Sequence, residues 1–242
     1  MKDHLEGKSW RIYEGRWQDV LPPDLKIEHI ISDPPFTDHV SDKQRNSKKG
    51  KVAASVLSFG GIEPAEVLPD LLPRCARWAM FFCAIEQVGA YQAAEPAWYV
   101  RGGVWVKVSP TPQFTGDRPG QWGESVAIMH NPKVRKRWNG GGHSAHWHGP
   151  SERGEERHHE TAKPIWLMRA LIEQFTDEGD TILDPYCGSA TTGVAALLTG
   201  RRFIGCEMQP HYAQVARDRL LATEQGLTLA DAKAGQVALF GL

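Results

Sequence analysis

The segment ISDPPF, residues 31–36, places a carboxylate, two prolines and an aromatic ring directly after a run of apolar residues. The pattern predicts a buried strand over 27–32 that stops at the prolines, because proline cannot donate to a sheet ladder. The Asp33 carboxylate and the Pro34 carbonyl would then lie side by side, and two such acceptors suit an amino group with two hydrogens. Phe36 adds a flat apolar face for stacking. The segment predicts a site for a planar base, although a proline-capped strand with a buried Phe36 is an alternative.

A second segment with candidate chemistry is TILDPYCGSATT, residues 181–192. It predicts a strand that ends at Asp184 and a glycine turn at Gly188 that leads into a helix, where backbone N–H groups can approach a ligand. Glu207 ends the next predicted strand, and an acid in that position binds ribose hydroxyls in nucleotide sites. The turn lacks the GxGxxG pattern of dinucleotide sites, so it favours a nucleoside without phosphates. A strand–turn–helix that binds nothing is the alternative.

The hydrophobic periodicity predicts an α/β protein. Strands are predicted at 10–15, 27–32, 78–85, 102–109, 124–130, 181–184 and 202–207, and helices near 163–176, 190–199 and 210–225. The alternation of strands and helices over 163–225 is typical of a parallel sheet with helices on both faces.

The length of 242 residues allows one or two domains, and we expect a single globular domain that spans 1–242. The 28 lysines and arginines balance 29 aspartates and glutamates, so the net charge of −1 predicts no general affinity for polyanions. The four cysteines lack C-x-x-C spacing, which favours reduced thiols over a disulfide scaffold. The longest apolar run, at 78–85, is far shorter than the roughly 20 residues of a membrane span. With no apolar signal core near the start, we expect a cytoplasmic protein without a membrane partner.

Two polar segments carry a local excess of positive charge. Residues 37–51 predict a loop, and residues 131–160 predict an irregular insertion whose first 19 residues contain no acid. Their cations and the accompanying aromatic residue are Lys43, Arg45, Lys48, Lys49 and Lys51 in the first segment, and Lys133, Arg135, Lys136, Arg137 and Trp138 in the second. Either segment can instead be an ordinary solvated loop. His143, His146 and His148 lie close together in the sequence, but no cysteine accompanies them, and no metal site is predicted.

Taken together, these motifs resemble a known family of enzymes. SDPPF at 32–36, KP at 163–164, LDPYCGSATT at 183–192 and GCE at 205–207 resemble the permuted, β-type amino-methyltransferases of DNA, and the resemblance covers about residues 10–222. It implies a Rossmann-like class I methyltransferase fold, with a mostly parallel seven-stranded sheet, one antiparallel edge hairpin and a circularly permuted motif order.

The resemblance also implies roles for individual residues. The catalytic box that holds the target amine is Asp33, Pro34, Pro35 and Phe36. The residues implied to bind the cofactor, S-adenosyl-L-methionine, are Asp33, Lys163, Asp184, Pro185, Tyr186, Cys187, Gly188, Ser189, Thr191, Thr192, Glu207 and Met208. The sequence departs from the family in three places: Phe36 replaces a common Tyr, Ala190 replaces the second glycine of the cofactor loop, and Arg16 stands where an acid is usual.

The box also bears on the reaction. In the family a leading Asp goes with adenine N6 as the target and a leading Ser with cytosine N4, so Asp33 implies site-specific transfer to N6 of a flipped-out adenine in double-stranded DNA. The alternatives are a cytosine-N4 enzyme and a non-catalytic nucleic-acid-binding module on the same fold. The two cationic segments are then candidates for binding DNA, with 131–160 as a small target-recognition insertion. Such enzymes act in bacterial or phage-infected cells as monomers or homodimers, with or without a restriction nuclease.

The end of the chain carries a separate signal. Residues 226–242 predict a tail, and QVALF, residues Gln236–Phe240, resembles the peptide by which bacterial proteins bind the replicative sliding clamp. An additional edge strand on the sheet is the alternative for this segment.

Overall fold

The computed structural model describes residues 4–36, 61–108, 110, 116–151, 163–228 and 230. Nine strands are present: β1 (His4–Glu6), β2 (Trp10–Glu14), β3 (His29–Ser32), β4 (Trp78–Cys83), β5 (Tyr99–Val108), β6 (Gly123–His130), β7 (His146–Pro150), β8 (Thr181–Asp184) and β9 (Arg202–Glu207). The helices are α1 (Trp17–Val20), α2 (Pro64–Leu71), α3 (Val88–Ala94), α4 (Ile165–Phe175), α5 (Thr191–Leu198) and α6 (Pro210–Glu224). The predicted loop 37–51 and the segment Gln236–Phe240 lie outside the described residues.

All nine strands belong to one sheet. Its order is β1-β2-β9-β8-β3-β4-β6-β5-β7, and within the described sheet only β1 and β6 run antiparallel to the others. The carboxyl ends of the seven parallel strands therefore meet along one side of the sheet, which we call the carboxyl edge. The opposite side is the amino edge. Because β6 runs the other way, its first residues lie at the carboxyl edge and its last at the amino edge.

The predicted α/β architecture is confirmed, but the strand count is higher than expected. The seven inner strands, from β2 to β5 in sheet order, form the expected mostly parallel sheet with an antiparallel β5–β6 hairpin. The short strands β1 and β7 pair onto its two sides, so the hairpin is not an edge. The sequence pattern does not predict β7, because a five-residue segment with two histidines, a glycine and a proline has low strand propensity.

Apolar side chains fill both faces of the sheet. The six residues of β4 are all buried, so alternate residues serve opposite faces: Met80 and Phe82 pack with α4, α5 and α6, whereas Phe81 packs with α1, α2 and α3. This two-sided burial explains why β4 is a continuous apolar run rather than an alternating one. Among the described residues, no helix has the length and apolar content that crossing a membrane would require.

Two helical glycines provide a test of this packing. A Cβ at Gly193 of α5 would lie 2.6 Å from the Phe203 ring and 2.8 Å from Leu220, whereas a Cβ at Gly89 of α3 would meet nothing within 4 Å. We expect Gly193→Ala to lower the free energy of unfolding by about 1–3 kcal/mol through overpacking. Gly89→Ala should raise it by about 0.5–1 kcal/mol, since alanine favours the helix. Urea unfolding measures both, and equal effects would contradict the close approach of α5 to the sheet.

Candidate active site

The two segments with predicted chemistry lie side by side at the carboxyl edge. Strands β3 and β8 are parallel neighbours, with Ile30 opposite Leu183, so the turns that follow them are adjacent. The Ser32 hydroxyl donates a hydrogen bond of 2.7 Å to Oδ1 of Asp184, which joins the two strand ends directly. The structure therefore brings the Asp33 turn and the glycine turn into one cleft.

Asp184 organises the glycine turn from inside the protein. Its carboxylate is 2% exposed. Oδ1 also accepts the Tyr186 N–H at 3.1 Å, and Oδ2 accepts the Thr192 hydroxyl at 2.7 Å. Burial raises the pKa of Asp184 to about 6, although these hydrogen bonds favour the ionised form. Asp184 and the Thr192 hydroxyl are thus engaged within the protein, and their assignment to the cofactor stays a prediction.

Left-handed backbone and a buried arginine shape the loop after Asp184. Gly188 has a φ of 53°, and Ala190, with a φ of 59°, is the one non-glycine residue with positive φ in the described part of the chain. An alanine in this conformation costs about 1–2 kcal/mol, which the family's usual glycine avoids. Nη1 of Arg219, on α6, donates to the Ser189 carbonyl at 2.6 Å and lies 3.3 Å from Oγ1 of Thr191. The side chains of Ser189 and Thr191 therefore face Arg219, which the sequence analysis missed.

Glu207 faces the glycine turn from the end of β9. Its Oε2 accepts the Gly188 N–H at 3.0 Å, and its Oε1 accepts the Gln209 N–H at 2.7 Å. Burial raises the pKa of Glu207, and the N–H groups of Gln209, Gly188 and Met208 oppose that rise. A carboxylate offers about four lone-pair positions, so acceptor capacity remains for a ligand hydroxyl. Glu14, opposite Glu207 in the register of β2 and β9, places a second acid at the same strand ends.

The other predicted cofactor residues divide by exposure. Pro185 and Cys187 are buried behind the turn, Tyr186 is half-buried, and Met208 is 40% exposed at the carboxyl edge. The Tyr186 hydroxyl accepts a hydrogen bond of 2.9 Å from Nε1 of Trp17. Buried members of the set can offer a ligand only backbone groups, whereas Tyr186 and Met208 can offer side-chain surface.

Asp33 keeps one carboxylate oxygen without a partner. Its Oδ2 lies 2.5 Å from Nζ of Lys163, whereas Oδ1 is buried and has no hydrogen-bond partner among the described residues. Pro34 is buried, and the carbonyl of Pro35 accepts the Ile62 N–H at 3.3 Å. The half-buried ring of Phe36 has its centroid 5.8 Å from Nζ of Lys163. The turn thus presents an acceptor beside an aromatic ring, which is the arrangement expected for holding an amine.

Lys163 belongs to a line of four alternating charges, which we call the four-charge cluster. Its Nζ contacts Asp33 and also lies 3.1 Å from Oε2 of Glu124, at the start of β6. Oε1 of Glu124 in turn lies 2.5 Å from Nζ of Lys107 on β5. The resemblance implies a cofactor role for Lys163, which stays a prediction; in the structure its Nζ contacts two carboxylates. Glu124 and Lys107 were missed; the available signal was two opposite charges facing each other within the predicted β5–β6 hairpin.

The cluster affects its two acids differently. Burial alone would raise the pKa of Glu124, but the charges of Lys163 and Lys107 outweigh burial and hold it at about 2. Burial raises the pKa of Asp33, and Lys163 opposes this rise while Glu124 adds to it. Burial would lower the pKa of Lys163, but Asp33 and Glu124 raise it instead. Glu124 is therefore firmly ionised, and Asp33 is the carboxylate in the cluster that accepts a proton more readily.

The cations of the second cationic segment, at positions 133–137, lie at the amino edge. They follow the end of β6, where His130 pairs with Trp78 at the start of β4. The residues concerned are Lys133, Arg135, Lys136, Arg137 and Trp138. Trp138 packs on Phe175 at 4.6 Å between ring centroids, and Arg137 pairs with Asp177 at 3.1 Å. The length of β4, about 20 Å, separates this edge from Asp33.

Residues 152–160 of the predicted target-recognition insertion 131–160 lie outside the described residues, so its role in target recognition stays a prediction. Residues 146–150 are strand β7, and the preceding segment packs against the end of α4. Lys43, Arg45, Lys48 and Lys49 lie outside the described residues. Within the described ranges, no three side chains of the types that ligate metals come together.

Comparisons with known proteins agree with this geometry. The family model described as "DNA methylase", for N6 and N4 methyltransferases, matches residues 91–218, more than half of the chain. The type II methyltransferase M2.DpnII of Streptococcus pneumoniae is 49% identical over 67 residues, which are 28% of this chain and 25% of that protein. The chain spans less than half the length of the curated relatives that it matches.

Solved structures share the fold at low sequence identity. The M1.HpyAVI–SAM complex has a TM-score of 0.65 at 24% identity and covers 87% of this chain and 100% of its own. The cytosine-N4-specific PvuII DNA methyltransferase also has a TM-score of 0.65, at 15% identity, and covers 87% of this chain and 86% of its own. The fold alone therefore does not separate the two target bases.

The raised pKa of Asp184 predicts a pH dependence of stability. Between the ordinary value of 3.8 and about 6, the folded protein keeps a proton that the unfolded chain has released. The contribution of Asp184 to the free energy of unfolding therefore falls by about 2–3 kcal/mol as the pH rises through this window. In Asp184→Asn, Oδ1 can still accept from Ser32 and Tyr186, and Nδ2 can donate to Thr192, so this fall should disappear.

Urea unfolding of both proteins at a series of pH values measures the difference. Asp70→Asn, which makes the same change at an exposed position of α2, is the control and should keep the wild-type slope. An unchanged slope in Asp184→Asn would contradict the raised pKa.

Proposed function

Because the chain belongs to the DNA methylase family of N6 and N4 methyltransferases, we propose that it transfers the methyl group of S-adenosyl-L-methionine to N6 of an adenine in double-stranded DNA. The observation that carries this proposal is Oδ1 of Asp33, which has no hydrogen-bond partner within the described part of the chain and is held beside the glycine turn by the contact between Ser32 and Asp184. An acceptor for an amine and a turn suited to a nucleoside then share one cleft.

The donor and acceptor set of the glycine turn fits the proposed cofactor. Glu207 retains acceptor capacity for a ribose hydroxyl, and the left-handed Gly188 keeps the backbone free of a side chain at the point of closest approach. The half-buried Tyr186 and the exposed Met208 offer apolar surface at the carboxyl edge. When bound, S-adenosyl-L-methionine supplies an electrophilic methyl group on a positively charged sulfur.

The Asp33 turn performs the other half of the proposed reaction. Oδ1 of Asp33 and the carbonyl of Pro34 accept the two hydrogens of the target amine, while Phe36 stacks on the base. Holding both hydrogens draws the nitrogen lone pair out of conjugation with the ring, so the nitrogen is a nucleophile without losing a proton first. The protein thus works mainly by orienting the nitrogen toward the methyl group.

A base inside a duplex does not reach such a cleft, so the target nucleotide swings out of the helix. This costs a few kcal/mol of stacking and pairing, which contacts to the duplex offset. We propose that Lys43, Arg45, Lys48 and Lys49, which follow the Asp33 turn in the chain, contribute phosphate contacts. Such contacts weaken as the salt concentration rises.

Two features favour adenine N6 as the target and the β-type order of the motifs. The leading Asp33 of the box matches the adenine-N6 pattern, and the order of the motifs, with the Asp33 turn before the cofactor turn, matches the permuted β-type arrangement. Cytosine N4 is the second candidate, because a cytosine-N4-specific enzyme shares the fold with the same TM-score as the M1.HpyAVI complex. Both bases present an exocyclic amine of the same chemistry to Asp33.

Methyl transfer to DNA of mixed sequence tests the proposal. The protein is incubated with unmodified duplex DNA and cofactor labelled in the methyl group, and the DNA is digested to nucleosides. We expect label in N6-methyldeoxyadenosine. Label in N4-methyldeoxycytidine would show that cytosine N4 is the target instead. DNA binding without methyl transfer would favour a non-catalytic module.

Asp33→Ala tests the catalytic assignment. Because the substitution removes a positioned acceptor, we expect kcat to fall by about 100-fold or more, while the affinity for S-adenosylhomocysteine changes by less than about threefold. Lys163 keeps Glu124 as its partner in this variant, so the fold should survive. Asp70→Ala makes the same change at an exposed site and should retain the wild-type kcat. A wild-type kcat in Asp33→Ala would remove Asp33 from the reaction.

A further inference from the structure

The four-charge cluster links the target-base turn to the β5–β6 hairpin. Asp33 follows β3, Lys163 precedes α4, Glu124 is the second residue of β6 and Lys107 lies near the end of β5. The four side chains are only 7–26% exposed, and their charges alternate along the line from Asp33 to Lys107. Buried charges persist when each has a partner of opposite sign, so this line is a built feature of the cleft.

We propose that Glu124 is a positioning residue that sets the charge of the cleft: it shares Lys163 with Asp33 and so prevents a net positive charge beside the reacting atoms. This inference rests on the proposed function. It follows from the geometry, because Glu124 contacts both lysines of the cluster while Asp33 contacts only one.

The charge balance shows why this residue matters. Two carboxylates and two ammonium groups sum to zero. In methyl transfer, the nitrogen lone pair forms the new N–C bond, the S–C electron pair stays on sulfur, and the nitrogen carries a positive charge until its surplus proton leaves to Asp33 or water. Without Glu124, the cluster would carry a net charge of +1. This charge would disfavour both the binding of a cationic cofactor and the positive charge that develops on the amine.

Glu124 also affects the orientation of Lys163. With two carboxylates to contact, Nζ lies 2.5 Å from Oδ2 of Asp33 and 3.1 Å from Oε2 of Glu124, and Oδ1 of Asp33 is left free. If Glu124 were neutral, the attraction that holds Nζ away from the rest of the Asp33 carboxylate would weaken. The free acceptor on which the proposed base contact depends would then be less well maintained.

Two ligands of nearly identical shape separate charge from packing. S-adenosylmethionine carries a sulfonium charge, and S-adenosylhomocysteine lacks the methyl group and that charge. We expect Glu124→Gln to weaken binding of S-adenosylmethionine relative to S-adenosylhomocysteine by about tenfold, the order of effect that one added charge in a partly buried site produces. Calorimetric titration of the purified full chain with each ligand measures this ratio.

A compensating substitution gives the decisive comparison. Glu124→Gln gives the cluster a charge of +1 and Lys107→Met gives it −1, whereas the double variant is neutral again. We expect Lys107→Met to shift the ratio in the opposite direction and the double variant to recover most of the wild-type ratio. Glu173→Gln changes the net charge equally at an exposed position of α4 and should leave the ratio unchanged.

The outcomes distinguish this inference from the proposed function. Equal weakening of both ligands in Glu124→Gln, or a double variant no better than the single one, would overturn the role of Glu124 while leaving methyl transfer in place. Failure of the wild-type chain to bind either ligand would overturn the proposed function itself, and this inference with it. Thermal unfolding of each variant separates loss of the fold from loss of charge balance.

Discussion

The buried carboxylate of Asp184 is the contact on which the rest of the site depends. Three segments donate to it: the end of β3 through Ser32, its own turn through Tyr186, and the first turn of α5 through Thr192. Ladder hydrogen bonds align β3 and β8 but do not by themselves fix the turns that follow them. A carboxylate that accepts hydrogen bonds from the end of β3 and from the turn after β8 fixes the positions of the two turns relative to each other. Each hydrogen bond to a charged acceptor contributes about 1.5–3 kcal/mol. That gain offsets part of the cost of burying the charged group, and the raised pKa shows that burial still outweighs the hydrogen bonds.

On the other side of the cleft, groups again share partners, but ion pairs take the place of hydrogen bonds from neutral donors. Lys163 is held by Asp33 and Glu124 together, and Glu124 is held by Lys163 and Lys107. Asp184 uses both its oxygens within the protein, whereas Asp33 uses one. This difference assigns the two acids their roles: the fully satisfied carboxylate builds the turn, and the partly satisfied one remains available to a ligand.

The sequence allowed the parallel sheet and the meeting of the two turns to be predicted, because both depend on local patterns. Carboxyl ends of parallel strands collect at one edge, so residues that end a strand, such as Asp33 and Glu207, could be placed together without coordinates. Glu124 and Arg219 escaped prediction because their partners are distant in the chain: Lys163 for Glu124, and Ser189 for Arg219. No periodicity reports such contacts, which arise only when a hairpin or helix packs against the cleft.

The cations at positions 133–137 show how strand direction governs the location of charge. Their position depends on β6 being antiparallel to β4, which carries the residues after His130 to the amino edge. Several charges of this edge pair within the protein: Arg77 lies between Asp177 and Asp180, and His29 bonds to Asp180 at 2.9 Å. The carboxyl edge instead leaves acceptors on Asp33 and Glu207 open. Paired charges fix the amino ends of the strands, and this frees the carboxyl ends to keep the unsatisfied groups that a ligand requires.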